Sequence, residues 1–450
     1  MKTIRIACGQ GFWGDWLEAP VNLVRQGPID YLILDYLAEV TMSILARHKQ
    51  KHPSAGYARD FVDLIDRLVP DLLAKNIRVV ANAGGVNALS CGEALRKVAE
   101  KHGVSDRLRI AVVTGDDLLT DLSQLEQDGE ELRNLDTGAS FEEIRGSVRS
   151  ANAYLGAGPI VEALQSGAQI VVTGRVADPA LALAPMIHEL GWNADDWDKL
   201  ASGIVAGHVI ECGAQCTGGN CSVDWQSIPD LADIGYPIAE MAEDGTFFIT
   251  KHPGTGGRVS AATVKEQIVY EIGDPKSYLT PDVIADFTSF TLTDAGPDRV
   301  RIEGARGRRR PEKLKVSMSY AHGYSASGTL VYTWPDACAK ARAGADIVRK
   351  RLDAAGVNLA FRAELVGINS CHGALTDIDL PEIPEVMLRI AVRSAEQAAV
   401  ERFTREIAPL VLNGPPSATA YFNKPQVQEV IAYWPTLIER SRVQHHVTFV

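Results

Sequence analysis

The sequence lacks both a long apolar run and an excess of positive charge. No stretch reaches the about 18 consecutive apolar residues that a membrane-spanning helix needs, so we expect no membrane partner. The 45 lysines and arginines are outnumbered by 57 acidic residues, which gives a net charge of −12. Because nucleic acids and anionic membranes select cationic surfaces, both are excluded as general partners. An anionic small-molecule substrate is still compatible with local arginines.

Cysteine is scarce, and its seven copies are an odd number scattered along the chain. This pattern is typical of reduced thiols rather than of a disulfide framework. The N-terminal residues read directly into a strand without a signal-peptide pattern, so we expect a cytoplasmic protein. No internal repeat is present. We also expect a homo-oligomer.

A chain of 450 residues is too long for one ordinary core, and its composition changes near residue 225. We therefore predict an α/β domain over residues 1–225 and an α+β domain over residues 226–450. In the first, short apolar runs predict strands that begin at Ile4, Asp30, Ile77, Leu108 and Ile170. Helical spacing over 57–75 and 151–167 separates them. This alternation predicts a parallel sheet with helices on both faces, and leaves open whether it is doubly wound or closed into a barrel.

The second domain has a different pattern. Period-two alternation predicts antiparallel strands over 300–303, 314–320 and 329–333, and a further strand over 361–367. Helices are predicted over 337–355 and from about 383 to 407. The domain is therefore an α+β domain with antiparallel strands.

The loop that follows the strand at Ile170 is the first candidate for a site. Arg175 lies between the carboxyl end of a strand and the start of a helix, where open α/β folds bind ligands. Asp178 is placed to cap that helix, with Pro179 in its first turn. Arg175 is a substrate-binding candidate, or it only pairs with a nearby acid. If it binds substrate, Arg175→Ala should weaken binding and leave thermal stability nearly unchanged.

Other strand ends carry similar residues. Asp35 follows the second strand and is a candidate acid or base, while Asn82, Gly84 and Gly85 follow the third and suit substrate oxygens. Glu39 could instead be a first-turn helix acid. After the fourth strand, Asp116 and its neighbour Asp117 either cap the next helix or bind a hard cation.

A second group of potentially reactive side chains falls within residues 207–221. Three cysteines, Cys212, Cys216 and Cys221, accompany His208 and Glu211. The cysteines could hold a structural metal, or one could be a nucleophile that His208 activates, but their spacing is not a common ligand pattern. We prefer an oxygen-binding loop and assign no metal, although a divalent ion is not excluded and the cofactor is unknown.

The substrate-binding residues of this loop would be Gly218, Gly219 and Asn220, with Glu211 as a catalytic acid or base. A later strand runs into a glycine loop that contains His252, a further catalytic candidate or a structural histidine, and Arg258, a further substrate-binding candidate. The glycine spacing from Gly9 to Gly14 matches a dinucleotide fingerprint by count, yet Phe12 is bulky for a phosphate loop, so a ligand loop of another kind is preferred.

Several separated phrases resemble the acyclic terpene utilisation family, AtuA. They occur in order as Gly9-Gln-Gly-Phe-Trp-Gly-Asp, Asn82-Ala-Gly-Gly-Val-Asn, Thr173-Gly-Arg-Val-Ala-Asp-Pro, Glu211-Cys-Gly-Ala-Gln and Gly254-Thr-Gly-Gly-Arg. The resemblance implies a role in breaking down branched terpenoids through acyl-CoA intermediates. Longer members add a ferredoxin-like domain after the matched region, which implies a small ferredoxin-like partner subunit here.

Two functions follow as hypotheses. The first is a catabolic enzyme of the hydratase or lyase type that acts on a small carboxylate or an acyl-CoA thioester. The second is a non-catalytic subunit that binds a metabolite or completes a multi-protein enzyme. The first requires that Arg175, Asn82 and Glu211 converge on one site.

Overall fold

A computed structural model describes residues 2–376, 383–420 and 424–450. The chain divides into two compact units, residues 1–319 with 433–450, and residues 320–432. The predicted boundary at residue 225 falls inside the first unit. In the described part of the chain, no helix is both long and apolar enough to cross a bilayer.

The strands and helices are numbered in chain order. The strands are β1 (Thr3–Gln10), β2 (Tyr31–Leu34), β3 (Arg78–Ala81), β4 (Ile110–Thr114), β5 (Val148–Ala153), β6 (Ile170–Thr173), β7 (Pro237–Ala242), β8 (Phe247–Lys251), β9 (Tyr278–Leu279), β10 (Ile284–Asp286), β11 (Thr291–Asp294), β12 (Arg299–Glu303), β13 (Arg306–Arg308), β14 (Lys313–Thr333), β15 (Ala360–Val366), β16 (Glu385–Ser394), β17 (Ala418–Ala420), β18 (Gln428–Glu439) and β19 (His446–Phe449). The helices are α1 (Glu18–Gln26), α2 (Glu39–Lys51), α3 (Arg59–Lys75), α4 (Ala88–Lys101), α5 (Leu122–Gln127), α6 (Gly158–Gln165), α7 (Ala180–Leu190), α8 (Trp197–Glu211), α9 (Ala261–Val269), α10 (Ala337–Ala354), α11 (Gln397–Phe403) and α12 (Leu410–Asn413).

The first unit is built on a ten-stranded mixed sheet in the order β11-β12-β8-β7-β1-β2-β3-β6-β4-β19. Its central strands β1, β2, β3, β6 and β4 are parallel, and the outer ones are antiparallel. Alternate residues of β2 enter different cores: Ile33 packs with α6, α7 and α8, and Leu32 and Leu34 pack with α1 to α4. The predicted α/β character is therefore confirmed, as a mixed sheet rather than an entirely parallel one.

The second unit contains antiparallel strands and helices of its own. Strand β14 pairs with β16 over ten residues, β16 pairs with β15, and β17 pairs with β14. Helices α10 and α11 contribute Val348, Val400 and Phe403 to a core against these strands. The separate antiparallel sheet and the helix predicted over 337–355 are confirmed.

Two predicted helices differ from the structure over part of their length, and one predicted strand is present but lies in the first unit. Residues 151–153 form the end of β5, because pairing with β14 outweighs the helix propensity of the alanines. Residues 385–394 form β16, whose burial alternates with period two, and a helix begins only at Gln397. The strand at 299–303 belongs to the ten-stranded sheet of the first unit, where it pairs with β8.

Candidate functional site

The carboxyl ends of the parallel strands bring the candidate residues to one edge of the sheet. Asp35 follows β2, Asn82 follows β3, Arg175 follows β6 and Asp116 follows β4. Since β2, β3, β6 and β4 are consecutive neighbours, these four residues emerge side by side. All four side chains are buried.

Asn82 holds Asp35 in place. Its amide nitrogen donates to Asp35 Oδ1 at 2.7 Å, and its Oδ1 accepts from the backbone N–H of Tyr36 at 2.7 Å. Burial raises the pKa of Asp35 to about 6, although the charge of Arg175 and the Asn82 bond oppose the rise. Asn82 therefore orients Asp35, and its predicted role in substrate binding stays a prediction.

Arg175 ties the loop after β6 to the loop after β2. Its guanidinium donates to the carbonyl of Leu37 and to Asp178 Oδ1, and its carbon lies 4.4 Å from the centroid of the Tyr154 ring. Only 2% of the residue surface is exposed. The ion pair with Asp178 was one of the two alternatives for Arg175, and it is present.

The expectation that Asp178 caps helix α7 was wrong. The helix begins at Ala180, its N-cap is Pro179, and no side chain caps it. The carboxylate turns to Arg175 instead, because an ion pair to a buried guanidinium outweighs a bond to a helix N–H.

Asp178 has an unusual environment for an acid. Surrounding protein raises its pKa to about 8 by desolvation, despite the nearby charge of Arg175, and the charges of Asp35 and Glu39 raise it further. Yet 34% of its side-chain surface is accessible to solvent. Asp178 is therefore a half-buried acid beside a buried arginine, a position that we call the Asp178 recess. With a pKa of about 8, both forms of Asp178 are accessible near neutral pH, the carboxylate that pairs with Arg175 and the protonated acid.

Asp116 binds the loop that follows β6. Its Oδ2 accepts from the backbone N–H of Arg175 at 2.8 Å and from Asn152 Nδ2 at 2.9 Å. Burial raises its pKa to about 6. No side chain caps α5, which starts at Leu122, and no group of three or more potential metal ligands occurs among the described residues. Neither predicted role of Asp116 is therefore observed.

Tyr154 and Glu39 line the other side of Arg175. The Tyr154 hydroxyl donates to Glu39 Oε1 at 2.7 Å, and Glu39 is the first residue of α2. Although burial opposes ionisation, the Tyr154 bond and the charges of Arg175 and Lys315 hold the pKa of Glu39 below its usual value. Glu39 therefore stays ionised at neutral pH.

Glu211, at the end of α8, forms a buried pair with His208. Its Oε1 lies 2.9 Å from His208 Nδ1, and His208 Nε2 lies 3.0 Å from the carbonyl oxygen of Gln267. Since a carbonyl only accepts, Nε2 carries the hydrogen and the neutral ring offers Nδ1 as an acceptor. Glu211 is then the donor, in its protonated form.

The electrostatics agree with this assignment. Burial raises the pKa of Glu211 well above its usual value, and the charges of Asp178 and Glu271 raise it further. Burial also lowers the pKa of His208 to about 4. The charges of Asp178 and Arg175 both affect the pKa of Glu211, but among the described residues no hydrogen bond joins Glu211 to Arg175 or to Asn82, so their predicted convergence on one site stays a prediction.

The family comparison covers almost the whole chain. The profile of the acyclic terpene utilisation family protein AtuA matches residues 4–449. The chain belongs to the AtuA family. No curated protein and no solved structure matches it. The family predicted from the separated phrases is confirmed, and the AtuA description itself specifies no reaction and no catalytic residue.

The glycine loops of this AtuA member use their backbone donors internally. The N–H of Gly84 donates to the carbonyl of Thr173 at 3.0 Å, and that of Gly85 to Asn82 at 3.2 Å. Likewise Gly218 donates to Gln215 at 3.2 Å and Gly219 to Ala214 at 2.9 Å. These N–H groups form tight turns in the structure, and their predicted role in substrate binding remains a prediction.

Asn220, His252 and Arg258 are the remaining predicted site residues. Asn220 is exposed with a φ of 54°, and Arg258 donates to the side chain and the carbonyl of Ser227. His252 is buried, and neither ring nitrogen has a hydrogen-bond partner among the described residues. It follows β8, which two strands separate from β2. Across the described ranges, no hydrogen bond or ion pair links these three residues to Arg175.

The cysteine alternatives gain no support. All seven cysteines are free, and burial raises the pKa of Cys212 to about 12. Both ring nitrogens of His208 are occupied by Glu211 and Gln267, so His208 does not activate a cysteine.

In the loop from Gly9 to Gly14, the N–H of Gly11 donates to Asp15 Oδ2 at 2.9 Å. A carboxylate at that point would repel a dinucleotide phosphate.

Sequence reasoning missed Tyr154 and Lys315 and misassigned Asp178. Tyr154 fell within a segment read as helix, and Lys315 joins the site only through the pairing of β5 with β14. Asp178 did carry a signal, because an acid three residues after an arginine in a strand-to-helix loop is also suited to an ion pair.

Proposed function

We propose that this chain is a catabolic enzyme that moves a proton on a small carboxylate or an acyl-CoA thioester, in a hydration, dehydration or carbon–carbon lyase reaction. One observation carries the proposal: Asp178 is accessible over a third of its side chain and has a pKa of about 8, beside a buried arginine. An acid whose pKa lies near the working pH is suited to giving and taking a proton.

The neighbouring groups fit the two halves of such a reaction. Asp178 in its protonated form donates, and Arg175 stabilises the carboxylate that remains and negative charge that develops on a substrate oxygen. Asp35, with a pKa of about 6, is mainly ionised at neutral pH and suits the role of base. Acids held in opposite protonation states are the arrangement that acid–base catalysis requires.

The pair of Glu211 and His208 is more deeply buried than Asp178. Only 8% of Glu211 is exposed, so it is suited to supply a proton through neighbouring groups rather than to touch a substrate directly. The predicted catalytic role of Glu211 is kept in this form. His252 has no link to the recess in the described residues, and its role as a catalytic residue remains a prediction.

The thioester part of the proposal rests on what membership of the AtuA family implies. Breakdown of branched terpenoids passes through acyl-CoA intermediates, and hydration and lyase steps on such intermediates need a proton moved next to a carbonyl. The proposal also keeps a small ferredoxin-like partner and a homo-oligomer, which copurification and light scattering would test.

The alternative is a metabolite-binding or partner subunit without activity of its own. The low exposure of Arg175 and Glu211 favours it, because buried ionisable groups also occur as purely structural networks. Turnover by the isolated chain would rule it out.

Proton exchange separates the two functions. The isolated chain is incubated in D₂O with a panel of acyl-CoA thioesters and short carboxylates, with and without the copurifying partner, and deuterium uptake is measured by mass spectrometry. We expect uptake on at least one compound, slowed by at least roughly 10²-fold in Asp178→Asn. The control Asp198→Asn alters an exposed acid paired with Arg306 and should keep the wild-type rate. Equal rates in the two variants, or no uptake in any condition, would contradict the proposal.

A further inference from the structure

A second cation contacts the same aromatic ring as Arg175 and, unlike Arg175, reaches solvent. Lys315 Nζ is 4.7 Å from the centroid of the Tyr154 ring, the same ring that Arg175 contacts at 4.4 Å. The backbone fixes this arrangement, since the N–H of Tyr154 donates to the carbonyl of Lys315 at 2.9 Å. The Lys315 side chain is 42% exposed.

The bonding of the two cations differs. Arg175 is buried and already donates to Leu37 and Asp178. Lys315 Nζ lies 3.5 Å from Glu39 Oε1 and 5.7 Å from the centroid of the Tyr433 ring. Because an ammonium has three donors, the contact with Glu39 leaves donors for a ligand. The cation that an incoming anion meets is therefore Lys315.

We propose that Lys315 binds the anionic group of the substrate, a carboxylate in its simplest form, and so directs the adjacent carbonyl toward Asp178. The second half of this statement rests on the proposed function, whereas the binding of the anion does not. The predicted role of Arg175 in holding the anion passes to Lys315. Arg175 then acts on the charge of Asp178 and on charge that develops during the reaction.

Glu39 gives the proposal a test with effects of opposite sign. Its ionised carboxylate competes with a ligand for the ammonium, so Lys315→Met should weaken anion binding and Glu39→Gln should strengthen it. Lys313→Met is the matched control. Lys313 lies two residues earlier in the same strand, is 50% exposed and pairs with Glu439 at 3.4 Å.

The probes are acetoacetate and its neutral counterpart acetoacetamide, with affinities measured by isothermal titration calorimetry on the full chain. Thermal melts confirm that each variant is folded. We expect Lys315→Met to bind acetoacetate about tenfold more weakly, the loss of one charge-assisted hydrogen bond. Acetoacetamide should bind equally to both proteins, and Lys313→Met should match the wild type.

Three results would overturn the proposal: equal losses in Lys315→Met and Lys313→Met, wild-type affinity for acetoacetamide that equals that for acetoacetate, or no binding of acetoacetate by the wild type. Absence of deuterium exchange together with the expected binding pattern would refute the enzymatic function alone. The two ideas therefore fail separately.

Discussion

Replacing Arg175 by methionine tests how the buried charges are held. The variant loses the donors to Leu37 and Asp178 and the cation over the Tyr154 ring, which the wild type places 4.4 Å from the centroid. It leaves the acids Asp178 and Asp35 without their counter-charge. Breaking a buried pair in this way costs about 3–5 kcal/mol of unfolding free energy, which corresponds to a fall in Tm of roughly 5 °C for a unit of this size.

This expectation reverses the one drawn from the sequence, in which an Arg175 variant keeps its stability. It also has a definite pH dependence. The pKa of Asp178 is raised to about 8 and that of Asp35 to about 6, so protonation of either group favours the folded state. Without Arg175 both pKa values rise further, and ionising these acids becomes more costly. The deficit of the variant should therefore be largest near pH 8 and shrink as the pH falls toward 5.

Differential scanning calorimetry across this pH range measures both effects. The double variant Arg175→Met/Asp178→Asn replaces an acid that is neutral at low pH, so it should match Arg175→Met near pH 5 and become the more stable of the two as the pH rises past 8. Arg67→Met, which breaks an exposed pair with Glu18, is the control and should cost less than about 1 kcal/mol. A Tm for Arg175→Met within about 1 °C of the wild type at pH 8 would refute the reasoning.

Three further predictions concern other parts of the first unit and the thiols. The N–H of Ala157 is shared between the two carboxyl oxygens of Asp282, and burial raises the pKa of Asp282 to about 6. Protonation of Asp282 therefore favours folding, so calorimetry should show the wild type gaining stability over Asp282→Asn as the pH falls from 7 to 4, and an unchanged gap would contradict this. A Cβ at Gly84 would lie 2.6 Å from both Ala88 Cβ and the carbonyl oxygen of Thr173, so Gly84→Ala should cost about 1–3 kcal/mol in denaturant titration, whereas Gly158→Ala, with open space around it, should cost nothing. Cys371 is the exposed cysteine, so a thiol reagent should show one fast phase that Cys371→Ser abolishes, and persistence of that phase would refute the assignment.

Much of the first unit could be predicted because its strands are continuous apolar runs. Buried strands such as β2 and β6 carry no polar residue until they end, so the residues that follow them, Asp35 and Arg175, stand out in the sequence. Neighbouring parallel strands then bring these residues together. Asn82 and Asp35, which follow neighbouring strands, are hydrogen-bonded as this reasoning predicts, whereas Glu211 ends helix α8 and its convergence with Arg175 stays a prediction.

The rest depends on long-range pairing, which leaves little local trace. Tyr154 reaches Arg175 because β5 pairs with β14, and the alanine-rich sequence around it predicted a helix instead. The role of Asp178 was missed because a capping acid and an acid paired with an arginine have the same local pattern. The residues over 385–394 alternate between buried and exposed positions with period two, which is typical of a strand, but the sequence prediction favoured a helix there.

The protonation state of Asp178 is the central claim, and carboxyl carbon NMR on protein labelled at aspartate measures it directly. The resonance missing from Asp178→Asn identifies the group in the wild type. We predict a titration midpoint near pH 8, as its raised pKa requires. A midpoint near the ordinary value of about 4 would mean that Asp178 is an ordinary ionised partner of Arg175, and the proposed proton transfer would lose its acid.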